Sequence, residues 1–332
     1  MLFAHVAHQR LRSPDHASEL DAQDAGGLAG SRGNAKRDLR FDSLLLDGGW
    51  TARVLLGDSA SGFGVPSPEE WRAFAPRLIE DPSGLAGYAS FKYSPGVEVC
   101  RAEVATRDGP AQVVCKQRRG EGWRGKLRTL LSGTRERKNF ERARLLSCGR
   151  ISTAAPVALL EPSRALAAGW LITEYKPDLV DLTHVLTVHM QQLNGAEKRT
   201  LRGAIVRSLA RLLARLDSAG LRHRDLKCSN LMFSVRDLDH QDFDVVLLDL
   251  DGLGSARPTL ATAAAQLARI AESVAEVAPL RPDEAARVVR AYLNRTPLRV
   301  AFKPLFRRAR REYQRRIRRV RRDAGKFSTY DR

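Results

Sequence analysis

The sequence predicts an α+β chain of two lobes, a small β-rich lobe followed by a mostly helical one. Its 332 residues exceed one small domain, and at roughly 100–200 residues per domain they suit two. Residues 88–118 read as hairpin-like β structure, in which YASFKY, VEVCRAEVA and QVVCKQR are separated by the turns SPG and RDGPA. After Pro177 apolar residues recur every three or four positions, as in RTLRGAIVRSLARLLARLDSAG, which is the helical period.

Residues 1–40, rich in Asp, Gly, Ser, Arg and Ala and without periodicity, read as a mobile leader that carries no chemistry. Residues 41–87 form an N-terminal extension. Its short apolar runs, LLLDGGW and TARVLLG, precede a short helix, PEEWRAFAPRLIE, that opens after Pro66 and Pro68. The β-rich lobe spans 88–176. After the hairpin strands it contains a helix from about Thr134 to Ser147, closed by Cys148 and a C-cap Gly149, and the strands PVALLE and WLITEY around a loop at 161–169. The helical lobe spans 177–298. It runs through LTHVLTVHMQQL, the long helix above, the segment LRHRDLKCSNLMFS, the strand DVVLLDLDG, and Ala-rich helices at about 261–278 and 283–293. Residues 299–332 form a basic amphipathic tail.

The composition, 43% hydrophobic and 28% charged, is that of a soluble globular chain and excludes disordered and collagen-like classes. Cys100, Cys115, Cys148 and Cys228 contain no CxxC pair. Neither a zinc knuckle nor a disulfide framework is indicated, and a reducing intracellular setting is expected. No window approaches the ~18–20 apolar residues of a membrane span, and the start MLFAHVAHQRLRSPDH lacks a signal-peptide core. The 56 Lys and Arg against 38 Asp and Glu give +18 and a pI near 10.5, so an anionic partner is expected.

The residues with chemical promise fall in a fixed order. Lys116 ends the apolar strand VVCKQ, where a lone lysine is usually a solvated strand end. His223-Arg224-Asp225-Leu226-Lys227-Cys228-Ser229-Asn230 fills every specified position of the H-R-D-L-K-x-x-N catalytic loop. In that spacing an Asp accepts a hydroxyl proton, and the Asn five residues later turns back to ligate a metal beside the same phosphate. The bland alternative is a polar loop with an Asx turn and a buried His. Asp249 ends the apolar strand VVLLDLDG, where a hard carboxylate can reach a Mg2+ bridging two phosphates. Glu174 and Tyr175 run into the Pro-containing connector between the lobes, a position equally compatible with a plain linker.

This set of a strand lysine, a helix, a hinge, HRDLKxxN and a strand-end Asp resembles the protein-kinase-like superfamily over roughly residues 88–295. Within it the chain is similar to the lipopolysaccharide core kinases of the Kdo/WaaP type. The similarity lies in VVCKQRRG, the basic connector WRGKLRTLLSGTRERKNF, and LLSCGRISTAAPVALLE with its Gly149, Thr153 and Pro156. The resemblance implies ATP and Mg2+ as cofactors. It implies that Lys116 contacts the α- and β-phosphates, with Glu136 as its helix partner, and that Glu174 and Tyr175 meet the adenine. It makes Asp225 the base or hydroxyl orienter and Lys227 a contact of the transferred phosphate, and it gives Asn230 and Asp249 the metal.

The chain also departs from the pattern. No GxGxxG precedes Lys116, and the only candidate turn is Ser94-Pro95-Gly96. Helical spacing back from Leu146 points at Asn139 rather than at Glu136, one turn earlier, or Glu141. Asp251 stands where D-F-G has glycine, which either adds a second carboxylate near the metal or alters the turn. About eight residues separate Gly252 from the next helix, without A-P-E, so a regulated activation segment and peptide platform would not fit. Arg224 therefore serves structure.

Residues 299–326 hold thirteen Lys or Arg against Glu312 and Asp323, a local charge of +11. Phe302, Phe306, Ala309, Tyr313, Ile317 and Val320 recur at helical spacing, giving a basic amphipathic helix. Such a helix could lie on an anionic membrane, where each basic residue contributes on the order of 1 kcal/mol. The alternative is that its apolar stripe packs on the helical lobe. RNA, which needs exposed aromatic platforms, is not expected. The function these readings predict is an ATP-dependent phosphotransferase acting on a sugar hydroxyl of a lipopolysaccharide core or related glycolipid. Its expected place is cytoplasmic, at the inner face of the inner membrane. The rival readings are a protein or small-molecule kinase, and a non-catalytic nucleotide-binding pseudokinase at the membrane surface.

Overall fold

The protein's structure, a computed structural model, describes residues 40–56, 63–94, 96–118, 134–148, 151–163, 168–238 and 243–327. The expected leader other than Arg40, residues 119–133 with most of the basic connector, Pro95 and Gly149 lie outside the described residues. The chain divides into two units, Arg37–Leu179 with Val246–Asp251, and Val180–Val245 with Gly252–Arg332.

The first unit is built on a seven-stranded antiparallel sheet. Its strands are β1 (Arg40–Leu46), β2 (Trp50–Leu56), β3 (Ala89–Ser94), β4 (Val97–Val104), β5 (Ala111–Gln117), β6 (Pro156–Pro162) and β7 (Trp170–Glu174), in spatial order β1-β2-β6-β7-β5-β4-β3. The segment read as an extension is thus continuous with this sheet, because β2 pairs with β6 from Trp50↔Pro162 to Val54↔Ala158. The β1–β2 connection turns through Gly48 and Gly49, at φ 68 and 75, a left-handed path that costs glycine little.

Period-two alternation gives the sheet two apolar faces. On one, Cys100, Ala102, Val113, Cys115, Ala158 and Ile172 pack with Trp71, Phe74 and Leu78 of helix α1 (Pro68–Glu80). That helix starts where expected. Ser67 accepts from the N–H of Glu70, and the Ser67 N–H donates to the Glu70 carboxylate, which satisfies two of the helix's orphan donors. On the other face Leu159 and Leu171 pack with Phe140 of helix α2 (Arg135–Cys148) and with Phe41.

The second unit is helical. Helix α3 (Gly195–Ser218) opens with an Asn194–Glu197 capping box, α4 (Leu260–Val277) opens on Thr259, α5 (Pro282–Leu293) carries Pro282 in its first turn, and α6 (Phe302–Phe327) is the basic tail. Buried Asp217 of α3 is hydrogen-bonded by Tyr292 and, at 3.0 Å, by Thr296, and this ties α3 to the end of α5. The stripe of α6 packs inward at its N-terminal half, where Leu305 and Ala309 are buried and Phe302 stacks on Phe306 at 5.3 Å. Phe306, Ala309 and Tyr313 help to wall an apolar cavity of about 100 Å³ together with residues of α3, α4 and α5. Arg307, Arg311, Arg315 and Arg318 lie on the opposite, exposed face. No helix of the described residues is long and apolar enough to cross a membrane.

Candidate active site

In the first unit, strand alternation decides what Lys116 faces. Val113 and Cys115 point to the α1 side, so Lys116, in register with Leu171, projects on the side that carries α2. Its Nζ lies 2.8 Å from Asp249 Oδ1, across 133 residues of sequence. Asp249 has φ 51, the only positive φ at a non-glycine among the described residues. Such a conformation costs on the order of 1–3 kcal/mol and persists where neighbours over-determine it. They do so on both sides. Leu247 N–H donates to Ser152 O at 2.8 Å, and Thr153 Oγ1 donates to Leu247 O at 2.7 Å. Beyond the aspartate, Arg142 donates to Leu250 O at 2.9 Å.

The choice left open at Asp251 is decided by its partners. Arg118 pairs with one carboxylate oxygen, and Asn139 Nδ2 donates to the other at 2.5 Å. The group is a clamp that ties the end of the Val246–Leu247 strand to α2 and to the end of β5. Burial raises its carboxyl pKa, but the Asn139 hydrogen bond and the charges of Lys116, Arg118 and Arg135 outweigh burial and hold it below the ordinary aspartate value. Asn139, the position to which the helical spacing pointed, thus serves Asp251. Lys116 pairs with Asp249, whereas Glu136, expected as its partner, is buried and accepts from the backbone of Arg118; burial first, and the Asp251 charge after it, raise its pKa. At the expected adenine position, Glu174 N–H donates to Ala155 O at 3.0 Å and Tyr175 N–H to Gln112 O at 3.1 Å, so both donors are spent within the unit. The Tyr175 ring stacks on Phe91 at 5.9 Å with the Arg101 guanidinium 5.6 Å from its centroid.

In the second unit the catalytic-loop motif hangs from a two-stranded ribbon, β8 (Leu221–His223) against β9 (Leu253–Ser255). His223 is buried, its N–H donates to Gln266 Oε1 at 3.0 Å, and its Nδ1 accepts from Asp225 N–H at 3.2 Å. The carboxylate of Asp225 stands between two cations. Lys227 Nζ is 2.8 Å from Oδ2 and Arg269 Nη2 is 2.7 Å from Oδ1. Burial raises its pKa, but these two partners outweigh that and lower it. Asn230 Nδ2 donates to the carbonyl of Asp225 at 3.0 Å.

Helix α4 supplies the mount for this loop, which sequence reasoning missed. Gln266 holds His223, Arg269 holds Asp225, and Ser273 Oγ accepts from Cys228 N–H at 2.9 Å. These positions fall on one helical face, three and four residues apart. A signal was present, since Gln266, Arg269, Glu272 and Ser273 are sparse polar residues in an otherwise Ala- and Leu-rich helix. Three of them, Gln266, Glu272 and Ser273, are buried.

The donor chemistry fits a hard divalent cation. A carbonyl can only accept, so the nitrogen of the Asn230 amide faces Asp225 and its Oδ1 is the atom left for a cation. Asp249 offers a carboxylate that is 40% exposed. Among the described residues no cluster of three or more His, Cys, Asp and Glu could hold a metal alone.

Residues 110–292, a little over half of the chain, match the model of the lipopolysaccharide kinase (Kdo/WaaP) family. Among solved structures, WaaP in complex with acyl carrier protein aligns with a TM-score of 0.51 and 21% identity over 79% of this chain and 97% of that chain. A protein described as an aminoglycoside phosphotransferase from Ralstonia eutropha aligns with a TM-score of 0.44 and 13% identity over 73% of this chain and 85% of that one. No curated protein matches the sequence.

Proposed function

The chain belongs to the lipopolysaccharide kinase (Kdo/WaaP) family and is an ATP-dependent kinase acting on lipopolysaccharide core, and from that premise we propose how its own residues divide the work. Asp225 orients the acceptor sugar hydroxyl and takes its proton. Lys227 contacts the transferred phosphoryl. Lys116 binds the α- and β-phosphates, positioned by Asp249. The adenine lies beside Glu174 and Tyr175, whose own N–H groups are spent within the unit and do not donate to it. Asn230 and Asp249 hold the divalent ion, which we take to be Mg2+. When bound, that ion neutralises charge on the phosphates.

The observation that carries this reading is the setting of Asp225. A carboxylate with a cation on each oxygen stays ionised and fixed in direction, and Lys227, 46% exposed on a flexible stem, can leave it for an incoming phosphate. Proton acceptance then needs the hydroxyl placed within reach, which makes positioning the main contribution.

We propose further that the exposed basic face of α6 binds an anionic membrane surface, the cytoplasmic face of the inner membrane, where the glycolipid acceptor is at hand. Support comes from the +11 charge of residues 299–326 and from the outward Arg307, Arg311, Arg315 and Arg318.

The test is transfer of labelled γ-phosphate from ATP and Mg2+ to dephosphorylated lipopolysaccharide core, with Asp225→Asn and Asp249→Asn run beside the parent. Both variants should lose roughly a hundredfold or more of the rate, the order expected for positioned catalytic groups. Parent-like rates in either would remove the role given to that residue. Label found only in water, protein or a soluble sugar would remove the glycolipid acceptor.

A further inference from the structure

Asp225 is held from behind by a buried chain of charges that the motif does not contain. Arg269 uses one terminal nitrogen on Asp225 Oδ1 at 2.7 Å and the other on Glu272 Oε2 at 2.8 Å. The same Glu272 oxygen is 3.2 Å from Arg316 Nη1 of α6. Exposure falls inward along this chain: the side chain of Lys227 is 46% exposed, Asp225 36%, Arg269 14% and Glu272 6%.

The two cations on Asp225 are therefore not equivalent. Lys227 sits at the open side, on a stem with several rotors, and one contact holds it to Oδ2. Arg269 is planar, enclosed and anchored at both ends, so swinging away from Oδ1 would also pull it off Glu272 and leave that buried carboxylate to Arg316 alone, which is costly. One carboxylate oxygen is exchangeable and the other is fixed.

The geometry assigns Arg269 as a positioning residue that fixes Oδ1 of Asp225 and leaves Oδ2 as the oxygen that meets the acceptor hydroxyl, with Glu272 and the α6 residue Arg316 bracing Arg269. This rests on the reading of Asp225 as the hydroxyl-orienting group. The proton of the acceptor hydroxyl passes to Oδ2 as its oxygen bonds to the transferred phosphorus, and ADP is the leaving group. Arg269 neither gives nor takes a proton, because a guanidinium stays charged throughout.

The experiment compares the parent with Arg269→Lys, Arg269→Gln, Glu272→Gln and Asp225→Asn. It reads kcat and KM for ATP in phosphate transfer to dephosphorylated lipopolysaccharide core, ADP affinity by titration calorimetry, and the thermal midpoint of each protein. Arg269→Gln should lower kcat by roughly thirtyfold or more, as expected when a reacting group is displaced by a fraction of an ångström to an ångström, with KM for ATP and ADP affinity within about twofold. Arg269→Lys should recover part of that loss, because an ammonium can hold one carboxylate but not two. Glu272→Gln keeps the guanidinium but releases its second anchor, and should lower kcat by about three- to tenfold. This last variant carries the test if Arg269→Gln does not fold.

A folded Arg269→Gln protein with parent-like kcat overturns the assignment, as does an unchanged kcat in Glu272→Gln. So does a loss in Arg269→Gln where kcat and ADP affinity fall in step, which is the signature of a merely structural role. Activity in Asp225→Asn would instead bring down the reading of Asp225 itself. An inactive Asp225→Asn beside a fully active Arg269→Gln brings down the positioning role alone.

Discussion

Gly252 shows how little room the catalytic loop has. A Cβ built there would lie 2.8 Å from His223 Cε1 and 3.2 Å from the backbone nitrogen of Asp225. His223 is 1% exposed and its ring is held through Nδ1, so it cannot yield as a flexible side chain would. Gly252→Ala should therefore displace the HRD segment. We expect a loss of about 1–3 kcal/mol of stability, the usual cost of overpacking, read as a lowered thermal midpoint, with transfer reduced by tenfold or more. A parent-like midpoint and rate would show that the loop can shift freely. At the same scale the strained backbone of Asp249, at φ 51, falls on the residue proposed to hold the divalent ion, and strain of this kind often collects at sites.

At the scale of elements, α2 is joined to the strand-end segment 249–251 by Asn139 on Asp251 and by Arg142 on Leu250 O. Asp251→Asn keeps the shape and removes the charge. The carboxyl pKa is lowered in the folded state, so the ion's contribution to stability is fully present above the unfolded value near 4 and is lost as pH falls through the folded value. The variant should be less stable than the parent by about 1.5–3 kcal/mol at pH 7, the range for hydrogen bonds to charged groups. That gap should narrow below about pH 4, near the ordinary aspartate value, in thermal unfolding measured across the acid range. A gap that stays constant with pH would mean that the clamp acts by shape alone.

What could be read from the sequence followed from distance along the chain. HRDLKxxN compresses its chemistry into eight residues, and the helices announced themselves by their period. The Asp251 clamp joins residues 112 and 133 positions away, and no local pattern encodes those partners. The resemblance implies Glu136 as the partner of Lys116 while helical spacing points at Asn139, and the fold gives Asn139 to Asp251. The catalytic-loop mount on α4 was visible only as polar residues out of place in an apolar helix.

For the whole molecule, the tail packs one face of its helix on the protein and is proposed to set the other on a membrane. Replacing Arg307, Arg311, Arg315 and Arg318 with Gln should weaken binding to anionic vesicles by about tenfold or more, given on the order of 1 kcal/mol per basic residue, and leave the thermal midpoint in place. Leu305→Ala should do the reverse. It removes a fully buried side chain, with an expected cost of about 2–5 kcal/mol. Sedimentation with vesicles and thermal unfolding of both proteins check the separation. If the Gln variant loses stability as well, the two faces are not independent.

The inward face of α6 is set by Leu305, Phe306 and Ala309 against α4 and α5, and its outward face by arginines one turn apart. A helix used on both sides has no slack in phase. Inserting a single residue after Ala309 would rotate everything beyond it by about 100°, putting Glu312 and Arg316 in the places of Tyr313 and Ile317 and moving Ile317 to the exposed place of Arg318. Over generations such a segment should exchange one basic residue for another freely while its residue count from Leu305 to Val320 stays constant.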